Sequence, residues 1–235
     1  MQRNTVPYRL LVLVNFESQG SLLVKTVLCY GDSLTWGTDA ATGGRHAFQD
    51  RWPSVLQAAL GPAVNVVAEG LGGRTTAYDD NLADCDRNGA TLLPTVLHSH
   101  GPLELVIVML GTNDLKPIIH GTAMGARQGV KKLVSLVRFH DWGRECEAPE
   151  ILIVSPPTLC ETANPMTGAL FRGGIEQSSM LASLYRDLAD ETGCGFFDAG
   201  SVAKTTPIDG VHLDAENTRA IGRGLEPIVR MMLGL

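Results

Sequence analysis

Four short segments carry residues that can do chemistry together. Ser33 lies in Gly31-Asp32-Ser33-Leu34-Thr35, and glycines cluster in Gly70-Leu71-Gly72-Gly73-Arg74-Thr75. Asn113 lies in Gly111-Thr112-Asn113-Asp114, and the chain later carries Asp209-Gly210-Val211-His212. A serine hydroxyl is barely nucleophilic at neutral pH and needs a base to take its proton as it attacks. His212 is that base if it is neutral and Asp209 holds its opposite ring nitrogen. Asp-x-x-His is short enough for one loop to supply both side chains. The tetrahedral oxyanion then needs donors. The Ser33 N–H, the Gly73 N–H and the Asn113 carboxamide are the candidates, since removal of one such donor typically costs about 100- to 1000-fold in rate. Glycine at 73 suits an N–H that a ligand approaches closely, and Gly73 rather than Gly72 directly precedes the Arg74-Thr75 pair. These are the parts of a serine hydrolase.

The elements that must position them are legible as alternating periods. Val24–Tyr30, Val64–Glu69, Leu105–Leu110, Ile151–Ser155 and Gly195–Asp198 read as five strands. The unbroken run Leu105-Val-Ile-Val-Met-Leu110 is what a parallel strand covered on both faces requires. Between strands, Ala126, Val130, Leu133, Val134 and Val137 share one helical face, as do Met180, Leu181, Leu184 and Leu188. A last helix starts near Asp214, a capping residue, with Ile221, Leu225, Ile228 and Met232 on its buried stripe. Such alternation predicts a three-layer α/β/α sandwich on a five-stranded parallel sheet, with ligands at the carboxyl ends of the strands. Each of the first three reactive segments begins where a strand ends.

Composition bounds the rest. With 235 residues the chain holds one large domain at about 150 residues per domain as a soft prior, and no internal repeat or linker divides it. Residues 1–23 fit no element. They are expected to be an N-terminal extension before a domain at 24–235, with translation starting near Val24 as one reading and an ordered edge segment or a mobile tail as the other. A net charge of -6 argues against a nucleic-acid partner. The longest apolar run, Leu105–Leu110, is far short of the roughly 18–20 residues that span a bilayer. Cys29, Cys85, Cys146, Cys160 and Cys194 are odd in number and lack a C-x-x-C pair, so reduced thiols in the cytoplasm are expected.

Each signal also has a plainer reading. Ser33 could merely cap a helix, and Asn113 could merely stabilise a turn. Asp32 and Asp114 are better suited to anchoring turns than to reacting. His98-x-His100 diverges on a helix and reads as a solvated pair rather than a metal site. The glycines at 70, 72 and 73 lack the spacing and the Gly-Lys-Ser/Thr ending of a nucleotide cradle. No G-x-S-x-G elbow is present. Leu34 and Trp36 stand next to the nucleophile as candidate substrate contacts, though Trp36 is equally suited to the core.

In order along the chain, Gly31-Asp32-Ser33-Leu34, the Gly73 segment, Gly111-Thr112-Asn113-Asp114 and Asp209-x-x-His212 resemble the four blocks of the SGNH (GDSL) hydrolases. The longer stretches Gly31-Asp-Ser-Leu-Thr-Trp-Gly37, Glu69-Gly-Leu-Gly-Gly-Arg-Thr-Thr76, Met109-Leu-Gly-Thr-Asn-Asp114, Val154-Ser-Pro-Pro157 and Phe197-Asp-Ala-Gly-Ser-Val202 resemble the bacterial arylesterase branch that also shows acyltransferase and perhydrolase activity. The resemblance runs from about Val24 to the C-terminus. It implies a flavodoxin-like sandwich, Ser33, Asp209 and His212 as catalytic residues, and Ser33, Gly73 and Asn113 as oxyanion donors. It further implies a small ester substrate, no cofactor or metal, no membrane partner and a homo-oligomer. A thioesterase or lysophospholipase of the same family is the alternative.

Overall fold

The structure, a computed structural model, describes residues 24–143 and 147–235. The expectations for residues 1–23 and for Cys146 lie outside the described residues. Five strands form one parallel sheet: β1 (Lys25–Gly31), β2 (Val64–Gly70), β3 (Leu105–Met109), β4 (Glu150–Ser155) and β5 (Gly195–Asp198). Each lies within a residue or two of its sequence expectation. The strand order is β2-β1-β3-β4-β5, the flavodoxin-like order. The chain leaves β1 toward one edge and returns past it to β3. The connections after β1 and β3 therefore diverge, and a crevice opens at their carboxyl ends.

Helices cover both faces. On one side α3 (Gly89–His100), α4 (Ala123–Arg138) and α6 (Gly174–Thr192) pack against Leu28, Tyr30, Val106 and Val108. On the other, α2 (Trp52–Leu60) and α7 (Ala215–Leu233) pack against Val27, Cys29, Ile107 and Met109. Every residue of β3 is buried, which is why its sequence is apolar without alternation. Two short helices, α1 (Ser33–Trp36) and α5 (Pro165–Leu170), lie in loops at the carboxyl edge.

Two helices were not legible as periodic segments. The α2 segment is only nine residues long and opens on Trp52-Pro53 without a side-chain cap. The α3 segment carries Pro94 in its interior, although Asn88 caps it through the N–H groups of Ala90 and Thr91 at 3.0 and 3.3 Å. The α7 stripe shifts by a position. Asp214 caps the helix by accepting the Asn217 N–H at 2.8 Å. Ile221, Leu225, Val229 and Leu233 form the buried line, and Ile228 and Met232 flank it half-buried. Every-fourth spacing keeps one row of side chains against the sheet.

One close approach ties this packing to the carboxyl edge. A Cβ on Gly129 of α4 would lie 1.7 Å from Thr76 Oγ1 and 2.5 Å from Thr76 Cβ. In an exposed helix, Gly→Ala gains up to about 1 kcal/mol of helix propensity. Here the added methyl must displace the buried Thr76, and overpacking of this kind costs about 1–3 kcal/mol. Gly129→Ala is therefore expected to lower the thermal midpoint. A rise, measured by calorimetry, would show that the contact is not close.

Candidate active site

The turn that carries Ser33 follows β1 directly. Asp32 caps α1, its Oδ1 accepting the Leu34 N–H at 2.9 Å, and the turn presents Ser33. The Ser33 Oγ lies 2.9 Å from His212 Nε2, although the two residues are 179 apart in sequence. On the other side of the ring, His212 Nδ1 lies 2.6 Å from Asp209 Oδ2. An ionised carboxylate only accepts, so Nδ1 donates to it. The neutral ring then keeps a bare Nε2 toward the serine hydroxyl.

Asp209 is held in the ionised form. Burial pushes its carboxyl up, but hydrogen bonds from the His212 ring, the His212 N–H and the Val211 N–H outweigh this and bring it down to about 2. The two N–H groups reach Oδ1 at 2.8 and 3.0 Å, so the short Asp-x-x-His spacing closes a turn around the carboxylate. The loop is fixed at both ends. Thr206 N–H donates to the His212 carbonyl at 2.9 Å. Leu213 is buried with the α7 side of the core, and its carbonyl lies 3.1 Å from His46 Nε2.

The loops after β2 and β3 stand opposite. Asn113 Nδ2 donates to the Arg74 carbonyl at 3.1 Å and to Asp32 Oδ2 at 3.3 Å. Gly73 adopts φ +79°, a backbone conformation that favours glycine, and a Cβ there would push aside the end of the Arg87 side chain at 2.7 Å. Among the described residues no acceptor engages the Ser33 or Gly73 N–H. Arg74 is buried and staples the loops, donating from Nη1 to the carbonyls of Gly31, at 2.9 Å, and Glu69. Its guanidinium lies 4.1 Å from the Tyr30 ring centre. Asp114 joins the two loops by accepting the N–H and hydroxyl of Thr76.

Ser33, Gly72, Gly73, Asn113, Asp209 and His212 line one cleft of about 310 Å³, together with Arg87, Lys116, Leu170, Phe171 and Val211. A second cavity of about 490 Å³ adjoins it and shares Thr167, Phe171, Asp209 and Val211. Leu34, expected beside the substrate, is instead buried in the α7-side core. Its position one residue after Ser33 turns it away from the hydroxyl and under the sheet edge. Trp36 is half-buried and does not line the cleft. The Arg45 guanidinium covers its ring at 4.8 Å and Arg45 Nε donates to its carbonyl.

Lys116, Arg87 and Phe171 were not found by sequence reasoning. Lys116 lies three residues past Asn113, so the third segment could have been read further. Arg87 and Phe171 carry no local signal. His98 and His100 do diverge on α3: His100 Nε2 bonds Glu69 Oε1 at 2.9 Å, and His98 faces His140. Among the described residues, no cluster of three or more His, Cys, Asp or Glu side chains could hold a metal ion, and no helix is long and apolar enough to cross a membrane.

Burial pushes Asp32 and Asp114 each up to about 6, against partial compensation from their hydrogen bonds. The folded protein thus holds these two protons more tightly than the unfolded chain, whose aspartates titrate near about 3.9. Their contribution to stability is present below about pH 4 and is lost as pH rises to about 6. Asp114→Asn is expected to be less stable than the wild type at low pH, through its weaker bonds to Thr76. Its deficit should shrink between about pH 4 and 6. A deficit independent of pH, followed by thermal melts, would refute this.

Residues 29–220 match the GDSL-like Lipase/Acylhydrolase family. A carbohydrate acetylesterase family member from Sinorhizobium meliloti is 75% identical, covers 90% of this chain and 100% of its own, and superposes with a TM-score of 0.89. A provisionally named arylesterase from Agrobacterium tumefaciens str. C58 is 52% identical over 88% of this chain and 99% of its own, at a TM-score of 0.83. The native aryl esterase of M. smegmatis is 41% identical with the same coverage and the same TM-score. No curated protein matches the chain in sequence. With a match over most of its length and relatives well above 30% identity, this chain belongs to the GDSL-like lipase/acylhydrolase family.

Proposed function

We propose that the protein is a serine esterase that cleaves short-chain aryl or alkyl carboxylic esters through an acyl-enzyme. The observation that carries this reading is the continuous hydrogen-bonded path from Ser33 Oγ to His212 Nε2 and from His212 Nδ1 to Asp209. Arylesterase and acetylesterase relatives support it.

Ser33 Oγ attacks the ester carbonyl carbon as its proton passes to His212 Nε2. Asp209, strongly acidic in its turn, keeps the ring oriented and stabilises the imidazolium. Negative charge on the former carbonyl oxygen is met by the free N–H groups of Ser33 and Gly73. The Asn113 amide joins them by giving up its longer bond to Asp32. Collapse breaks the bond to the leaving oxygen, which takes the proton from His212. Water then attacks the acyl-enzyme, with His212 as base, and releases the acid and the serine hydroxyl. A cleft of about 310 Å³ suits a small ester. Acyl transfer to an alcohol or to peroxide uses the same steps, with that nucleophile in place of water.

Two measurements test this. Ser33→Ala is expected to lower kcat/KM on phenyl acetate by at least ~10⁴-fold and to abolish labelling by a fluorophosphonate, with the thermal midpoint retained. Activity within tenfold of the wild type would overturn the assignment. Adding ethanol or hydrogen peroxide during turnover is expected to divert acetyl groups into ethyl acetate or peracetic acid. Product ratios that stay at acetate alone would confine the enzyme to hydrolysis.

A further inference from the structure

Among the charged side chains lining the catalytic cleft, Asp209 is committed to His212, and the others are cations, Arg87 and Lys116. Arg87 is already partnered by Asp80 and Asp84 at 3.5 and 3.1 Å. Lys116 is not. The residue is only 9% exposed, and among the described residues its Nζ makes no hydrogen bond or ion pair. Asp80, Asp32 and Asp114 act on it through space without touching it. Its Nζ lies 5.4 Å from the ring centre of Phe171, which lines the same cleft. The Lys116 stem is buried while its ammonium reaches the cleft without a protein acceptor, so burial disfavours its charge with no ion pair to offset the cost. An anionic acceptor entering the cleft offsets that cost most fully, since ionised partners make the stronger hydrogen bonds.

We infer that Lys116 is a specificity-determining residue that fits this cleft to esters carrying a carboxylate, placed in either the acyl or the alcohol portion. The inference rests on the esterase reading above and names the substrate class for the same site. Arg87 stands at the neighbouring wall with its charge already met by Asp80 and Asp84, which leaves Lys116 as the cation that receives the carboxylate. Beyond these two, Leu170, Phe171 and Val211 supply the apolar surface for the remainder of the substrate.

The test compares each anionic ester with its uncharged methyl ester of nearly equal shape. 4-Acetoxybenzoate against methyl 4-acetoxybenzoate places the charge on the alcohol side. Monophenyl succinate against methyl phenyl succinate places it on the acyl side. For at least one pair the wild type is expected to favour the anion by about tenfold in kcat/KM, and Lys116→Met should reduce that ratio by about tenfold. Lys116→Arg should restore it, which a purely structural role for the lysine would not require, and added salt should weaken it. If Lys116→Met does not fold, Lys116→Gln is read in its place. Equal rates on anion and methyl ester in both pairs, or a ratio that Lys116→Met leaves unchanged, would overturn the inference while leaving the esterase reading intact. Failure of the wild type to hydrolyse any of these esters, phenyl acetate included, would overturn both.

Discussion

A single hydrogen bond, from the Ser33 hydroxyl to His212 Nε2, sets the demands on the rest of the molecule. Its two ends belong to the first and last parts of the fold. Ser33 is placed by β1 and by the Asp32 cap, both within a few residues. His212 is placed by α7, which begins at the Asp214 cap and is clamped to the sheet through α2. A Cβ on Gly222 of α7 would come within 2.6 Å of the Trp52 carbonyl, so the helices can meet this closely only at glycine. The helix packing that buries Ile221, Leu225 and Val229 therefore also delivers the imidazole.

The second demand is that the donor loops after β2 and β3 keep their distance from the first. Buried polar groups meet it. Arg74 bonds the ends of β1 and β2 from below, and Asp114 joins Thr76 across to the β3 loop. Asp32 reaches both the nucleophile turn and Asn113. These groups pay with desolvation, seen in the weakened acidity of both aspartates. Each is bonded several times over, which is how a buried polar network rigidifies rather than weakens a site. Asp32 and Asp114 thus hold the loops that line the cleft, as turn-anchoring residues do. In the proposed reaction they hold the donors still and transfer no proton.

Strands were legible where burial on both faces leaves no polar residue to interrupt them, as in β3, and α4 where its apolar face repeats cleanly. The α2 and α3 segments were not, because α2 is short and opens without a side-chain cap, and Pro94 interrupts the pattern of α3. At the site, Ser33, Asp209, His212, Gly73 and Asn113 stood out because each sits at a strand end or in a compact loop with its partner nearby. Leu34 was misplaced for a related reason. Adjacency in sequence implies little about direction, and in a turn opening a helix the next side chain points to the core.

From the amino-acid order alone came the parallel sheet, its five strands and the residues with the chemistry of acyl transfer, because period and local spacing encode them. Which groups face one another came only with folding. The cleft walls formed by Arg87, Lys116 and Phe171 derive from three loops with no common motif, and their meeting depends on how α5 and the β2–α3 connection drape over the sheet edge. Local sequence sets the angle at which a side chain leaves its backbone. Only the packed whole determines what it meets.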